Sequence, residues 1–234
     1  MYTFDSRIRY SETDHNGKIK LSSLIDYFQD CSTFHSKEED IGIEKELANK
    51  RAWVITYWQV EIERYADLYE EVKTGTFPTK FKGFLGHRNF FMEDKNGDMI
   101  AKATSLWVYM DAQKKRPTKI PEEELKKYKG ESLFEIEDKG RKVQRGLNPV
   151  MYEPFIVRKE HIDRNEHVNN CRYIEMATEY IDKDKEVKKL RVEYTNQALY
   201  KDTIYPYVSV EPERTVVELS DENKVPYAVI EFKF

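Results

Sequence analysis

The chain has 234 residues, 39% of them hydrophobic and 13% aromatic, against 35% charged. Aromatic side chains bury large areas, so this composition excludes a disordered or low-complexity chain. The 39 basic and 43 acidic residues give a net charge of −4. No overall basic charge marks a nucleic-acid binder, and two cysteines cannot make a disulfide framework or a four-thiolate zinc site.

The start MYTFDSRIRY lacks an apolar stretch of signal-peptide length, and no run approaches the ~20 apolar residues of a membrane span. With only Cys31 and Cys171 as thiols, we expect a soluble protein of a reducing cytoplasm. A first strand is expected to begin at Arg9. Leu21, Leu24, Ile25, Phe28 and Cys31 then recur at helical spacing, with Gly42 as the expected stop. Ala52–Tyr65 is β-branched and aromatic and reads as a strand. Further strands are expected at Glu71–Lys82, His87–Glu93 and Met99–Met110, the last two joined by a hairpin turn at Asn96-Gly97.

The stretch from Asp111 to Pro149 is charged and poor in apolar residues, with Pro117 and Pro121 opening a short helix. It reads as a linker on the surface. Beyond it the pattern repeats: a strand at Glu153–Lys159, a helix at Asn170–Ile181, and strands at Lys189–Asn196, Thr203–Glu211, Thr215–Leu219 and Val225–Phe234. A shift of 149 residues lays Arg9 on Arg158, Asp14 on Asp163, Asn16 on Asn165, Ile19 on Val168 and Ile25 on Ile174. These matches cluster at the turn before each helix, which points to an internal duplication. The expected fold is α+β: two tandem hotdog domains, each a long helix packed on a curved antiparallel sheet. Their expected bounds are 1–112 and 150–234, with 113–149 as the charged linker.

The nucleophile elbow, the H-E-x-x-H zinc motif, paired C-x-x-C, the P-loop and G-x-G-x-x-G are all missing from the sequence. What remains is the polar stretch HIDRNEHVNN, His161 to Asn170. Asp163, Asn165 and His167 stand two apart. In an extended segment that spacing puts a carboxylate, an amide and an imidazole on one face. Uncapped backbone N–H groups at the following helix start would suit a developing oxyanion, and an imidazole both gives and takes protons near neutral pH. Asp163, Asn169 and Asn170 also have an ordinary use, capping the helix and shaping the turn, although capping needs one oxygen rather than the trio. The first copy keeps Asp14 and Asn16 but has Gly17 for Glu166 and Lys18 for His167. The asymmetry implies that one half catalyses and the other holds substrate. His15 and His35 read as ordinary polar residues.

On these residues the chain resembles the acyl-acyl carrier protein thioesterases, tandem-hotdog enzymes that hydrolyse fatty acyl thioesters. The stretch Asp163-Arg164-Asn165-Glu166-His167-Val168-Asn169-Asn170, then Tyr173-Ile174, is similar to that family's D-x-N-x-H-V-N-N-x-x-Y-I signature. RYSETDHNGKIKLSSLIDYFQD likewise resembles its opening strand and helix. The resemblance implies that Asp163, Asn165 and His167 are catalytic, that no metal or organic cofactor is needed, and that the substrate is the acyl chain on an acidic carrier protein. Asp163 would act as general base toward water or as nucleophile. Plant members carry a Glu-Cys pair where this chain has Gln197 and Ala198. Cysteine catalysis is therefore not expected, and Gln197 would hydrogen-bond the water or the thioester.

The resemblance further implies an apolar slot in the first domain, for which Tyr27, Phe28, Trp53, Tyr57 and Trp58 are the candidates. A net-acidic enzyme needs a local basic patch to dock an acidic carrier. Lys114, Lys115, Arg116, Lys139, Arg141, Lys142 and Arg145 are the expected cluster; a homodimer is left open. A hotdog enoyl hydratase would resemble D-x-N-P-x-H, with His five after Asp; here it is four after, and no Pro follows Asn165. An acyl-CoA thioesterase would share fold and chemistry. A silent acyl-thioester sensor would carry a DNA-binding helical module, and no such pattern is present.

Overall fold

The computed structural model describes residues 1–127, 134, 136–137 and 139–234. Part of the expected linker, at 128–133, 135 and 138, lies outside the described residues. The chain forms two units, Met1–Thr56 with Val60–Asp138, and Tyr57–Gln59 with Lys139–Phe234.

The first unit runs β1 (Tyr2–Arg7), α1 (Leu21–Glu38), α2 (Ile43–Asn49), β2 (Arg51–Ile62), β3 (Glu71–Lys82), β4 (Leu85–Asp94), β5 (Met99–Asp111), β6 (Arg116–Pro117) and α3 (Glu122–Lys127). Its sheet has the order β1-β3-β4-β5-β2, with β6 on the end of β5. Leu21, Leu24, Ile25, Phe28 and Cys31 form the buried face of α1, which packs on β1 and β3. Phe28 meets Phe90 there, ring centroids 5.4 Å apart. Helix α1 ends before Gly42, the expected stop. The chain turns at Asp40, φ 52°, and the Ile41 amide bonds back to the Ser36 carbonyl, a left-handed C-terminal cap. Gly42 instead opens α2, which the sequence pattern did not announce. The Asn96-Gly97 turn forms between β4 and β5, with Asp94 Oδ1 accepting from the Asn96 and Asp98 amides.

The second unit runs β7 (Val150–Met151), β8 (Phe155–Ile156), α4 (Asn170–Thr178), β9 (Lys189–Tyr194), β10 (Thr203–Val210), β11 (Arg214–Ser220) and β12 (Pro226–Lys233). Its sheet order is β7-β10-β11-β12-β9, with β8 also on β10. This is the first unit's order over again, with one change. The counterpart of β1 is split into β7 and β8 around Pro154, a residue that cannot donate to a ladder. The strand expected over Glu153–Lys159 is therefore two residues long and followed by a 3-10 turn at Lys159–His161. Tyr173, Ile174 and Ala177 bury the inner face of α4 against β11 and β12.

The other face of this second sheet carries residues 139–147. Arg191 donates to the Gly140 carbonyl at 2.8 Å and to that of Lys142 at 3.1 Å. Glu193 accepts the Val143 amide at 3.0 Å, and Arg214 donates to the Gln144 carbonyl at 3.2 Å. Val143 is fully buried with Val216 and Val229. A Cβ on Gly146 would stand 2.2 Å from that of Ser209. This part of the expected surface linker is thus a strap built into the sheet, because one valine and the backbone carbonyls supply what the charged side chains do not.

Candidate active site

The segment Arg158–Asn169 is a compact double turn. After the 3-10 turn, Ile162 and Val168 form a single antiparallel bridge, and the Asp163 amide donates to the His167 carbonyl at 2.9 Å. Between them the chain reverses. Asp163 Oδ1 accepts the Asn165 amide at 2.7 Å, the Glu166 amide reaches the Asp163 carbonyl, and Glu166 takes φ 63°. The trio is therefore not on one face of an extended strand, as its spacing implied: a carboxylate two residues before an amide closes an Asx turn instead. Asp163 and Asn165 stay together, Asn165 Nδ2 lying 3.5 Å from Asp163 Oδ2. His167 stands across the turn, half-buried, and its Nδ1 is buried with no hydrogen-bond partner among the described residues.

The first unit repeats this geometry. The Asp14 amide donates to the Lys18 carbonyl, and Asp14 Oδ1 accepts the Asn16 and Lys18 amides at 2.9 and 3.0 Å. Gly17 takes φ 72°, and Thr13 bridges Ile19. Lys18, in the place of His167, makes an ion pair with Asp67 at 2.8 Å. The aspartate thus has a turn-building role common to both copies, and only the residue four positions later differs in chemistry.

Asn169 caps α4, its Oδ1 accepting the Cys171 amide at 2.8 Å and its carbonyl the Arg172 amide at 2.9 Å. These two helix-start amides, expected to serve an oxyanion, are satisfied inside the chain. Behind the turn, Val168 donates to the Ala198 carbonyl, and the Ala198 amide donates to the buried Tyr173 hydroxyl at 2.8 Å. Burial pushes that phenol above its usual range. His167 bridges Leu199. Gln197 is next to this contact in sequence, but its side chain is exposed. Ala198, at the position of the cysteine in the family pattern, is fully buried.

The five expected slot residues have the following neighbours. Phe28 belongs to the core face of α1, and Tyr27 is drawn to the turn, donating to Glu12 Oε2 at 2.9 Å. Trp53 packs on Tyr109 and Phe81. Tyr57 and Trp58 are both buried but adjacent on β2, and adjacent strand residues face opposite ways. Tyr57 lies on the strap side, bonded to Gln59 and beneath the Arg191 guanidinium. The basic residues Lys114, Lys115, Arg116, Lys139, Arg141, Lys142 and Arg145 are all exposed, and Arg145 is also ion-paired with Glu218. Both cysteines are buried and unbridged, and burial pushes the Cys31 thiol up to about 12. Among the described residues, no group of three or more His, Cys, Asp or Glu could hold a metal ion.

His161 was not singled out in the sequence. Its Nδ1 accepts the Arg158 amide at 3.1 Å, the place taken in the first unit by Glu12 toward Arg9. The shift of 149 residues lays one on the other, and that was the available signal.

The model of the acyl-ACP thioesterase N-terminal domain family matches residues 1–128, and that of the C-terminal domain family matches 148–225. A chloroplastic acyl-[acyl-carrier-protein] hydrolase, FATB3, of Cuphea viscosissima is 27% identical over 187 residues, 71% of this chain and 43% of that protein. The chloroplastic palmitoyl-acyl carrier protein thioesterase of Arabidopsis thaliana is 26% identical over 215 residues, 81% of this chain and 50% of that one. The chain thus spans about half the length of these curated relatives. The crystal structure of an acyl-ACP thioesterase from Bacteroides thetaiotaomicron superposes with a TM-score of 0.90 at 21% identity, covering 99% of this chain and 96% of that one. The fold is therefore the tandem hotdog.

Proposed function

The chain belongs to the acyl-ACP thioesterase family, and on that premise we propose that it hydrolyses fatty acyl chains from an acyl carrier protein, releasing a fatty acid and ending chain growth. The observation that carries this is the asymmetry of the duplicated turn: one backbone geometry twice, with an ion-paired lysine in the first copy and a half-buried imidazole in the second.

In this reading His167 takes a proton from the attacking water. The water oxygen adds to the thioester carbonyl, the C–S bond breaks, and His167 returns the proton to the leaving thiolate. Asn165 donates its amide to the carbonyl oxygen. Asp163 holds the turn and keeps Asn165 in place, and Gln197 meets the substrate from the solvent side. The first unit holds the acyl chain and the second does the proton chemistry. The exposed Lys114, Lys115, Arg116, Arg141 and Lys142 meet the acidic carrier. Two buried, unbridged thiols accord with a reducing, cytoplasmic setting, and among the described residues no helix is long and apolar enough to cross a membrane.

The test is product analysis with purified protein and one acyl group offered on carrier protein and on CoA. Release of the acid with the higher kcat/KM on the carrier supports the proposal. A higher value on CoA makes the chain an acyl-CoA thioesterase, and no release from either overturns hydrolysis. Charge reversal at Lys114, Lys115 and Arg116, or at Arg141 and Lys142, should raise KM for the carrier-bound substrate only.

A further inference from the structure

We infer that His161 is a positioning residue: its neutral imidazole holds the turn that carries Asp163, Asn165 and His167, and its protonation releases that turn. The inference rests on the reading of this turn as the active site.

The 3-10 turns that open the two copies have nearly the same form. The cap residues Arg9 and Arg158 have φ/ψ of −94°/155° and −98°/165°. In each, the third residue of the turn reaches back to the cap amide with its side chain, Glu12 Oε2 at 2.8 Å and His161 Nδ1 at 3.1 Å. In each, the carbonyl of that same residue accepts the amide of the cap residue just before the next helix, Lys20 at 2.8 Å and Asn169 at 2.9 Å. Residue 161 therefore ties the two ends of the loop together, side chain at the entry and backbone at the exit. Asp163, Asn165 and His167 all lie between those ties.

The two copies tie this knot with different chemistry. Glu12 is a carboxylate that Arg9 also grips through its guanidinium, at 2.7 Å from Nε, and Tyr27 donates to it as well. Burial alone would raise the Glu12 carboxyl, but these bonds hold it below its ordinary range, so it stays an acceptor deep into acid. His161 accepts through a ring nitrogen, which requires the tautomer with its proton on Nε2. A proton on Nδ1 would face the Arg158 N–H with a second donor. The charged groups around the ring are Arg158 and Glu160 on its own turn and Arg172 and Glu175 on α4. Burial first, and then the two arginines, hold its titration below the ordinary histidine range against the pull of the two glutamates. The knot is thus tied at neutral pH and comes undone as acid protonates His161.

The experiment compares wild type with H161A, H161Q and H161E, using kcat and KM against pH on one acyl thioester, and amide hydrogen-exchange protection factors read by NMR. The expected result at pH 8 is a fall in kcat of about fivefold in H161A with little change in KM, the scale of one ordinary hydrogen bond. H161E restores kcat, because Arg158 stands where Arg9 stands and can grip a carboxylate in the same way. In the wild-type protein the protection of the Arg158 amide falls with acid while that of the Arg9 amide holds. Equal acid responses at the two amides, or wild-type kcat in H161A, overturns the inference. A chain that hydrolyses no thioester overturns the functional reading alone, and the amide comparison still decides the role of His161.

Discussion

Asp163 is the residue whose two readings separate most cleanly. As a turn former it needs one acceptor, Oδ1 at 2.7 Å from the Asn165 amide, and an asparagine supplies that acceptor as well as an aspartate does. As part of the chemistry it needs the charge. D163N should therefore stay within about 0.5 kcal/mol of wild-type stability, whereas D163A should lose about 1 kcal/mol, the usual cost of a missing side-chain cap. Asp14 calibrates this in the same molecule, since its Oδ1 accepts two amides, at 2.9 and 3.0 Å. D14A should lose stability on the same scale or slightly more, with turnover changed only a few-fold. If the Asp163 carboxylate takes part in hydrolysis, D163N should lower kcat at least ~10²-fold, about 2.7 kcal/mol of transition-state stabilisation. Urea unfolding and steady-state kinetics on one acyl thioester measure both quantities. A stable D163N with near-wild-type kcat refutes the chemical role and leaves Asp163 as scaffold, like Asp14.

H167A should cut kcat at least ~10²-fold in a folded protein, and H167K, which copies the first unit, should do no better; normal turnover in either removes His167 from the mechanism. C31S and C171S should keep turnover, since both thiols are buried and the Cys31 thiol is pushed up to about 12; a folded but inactive C171S would point to thiol chemistry. His35 is buried and accepts from Arg88 at 2.9 Å, and burial, then the charge of Arg88, holds its titration down to about 3. Above ~6.5 both folded and unfolded states are neutral there and its contribution to stability is complete. Below that the unfolded chain binds a proton that the fold refuses, so stability should fall by ~1.4 kcal/mol per pH unit toward about 3. Denaturant midpoints between pH 7 and 5 measure this, and an H35Q variant with the same slope as wild type would assign it elsewhere.

The strands of the first unit were legible because alternation and a two-residue turn are local signals. Glu71–Lys82 falls where the pattern put it. The duplication was legible from a handful of identities because they sit at a turn, where side-chain chemistry rather than hydrophobicity dictates the backbone. The same fact hid the shape of the site. An Asp-x-Asn spacing is compatible with one face of a strand and with an Asx turn, and the choice depends on the bond from Asp163 to the Asn165 amide. Tyr57 and Trp58 looked like one aromatic surface because bulk is visible in a sequence and the side of a strand is not. Val143 was invisible for a related reason: one apolar residue among charges has no period, and its burial depends on Arg191 and Glu193 of β9, Arg214 and Val216 of β11 and Val229 of β12. Gln197 was placed by homology of position alone, and nothing local could tell that its side chain is exposed.

A duplicated fold carries its own control. Where both copies hold the same residue in the same kind of turn, as with Asp14 and Asp163, the scaffold accounts for it and chemistry must be demonstrated separately. Where the bonds match and the residue differs, the scaffold cannot be the reason for the difference. Two positions in the turn meet that description, Lys18 against His167 and Glu12 against His161. Both replace a group of fixed charge at neutral pH with an imidazole, and both do so in the same copy. A turn that only had to fold would gain nothing from either change, since lysine and glutamate already satisfy it in the first unit. On the proposed reading, the paired change belongs to the copy in which protons move, with His167 presented by the turn and His161 tying the turn shut.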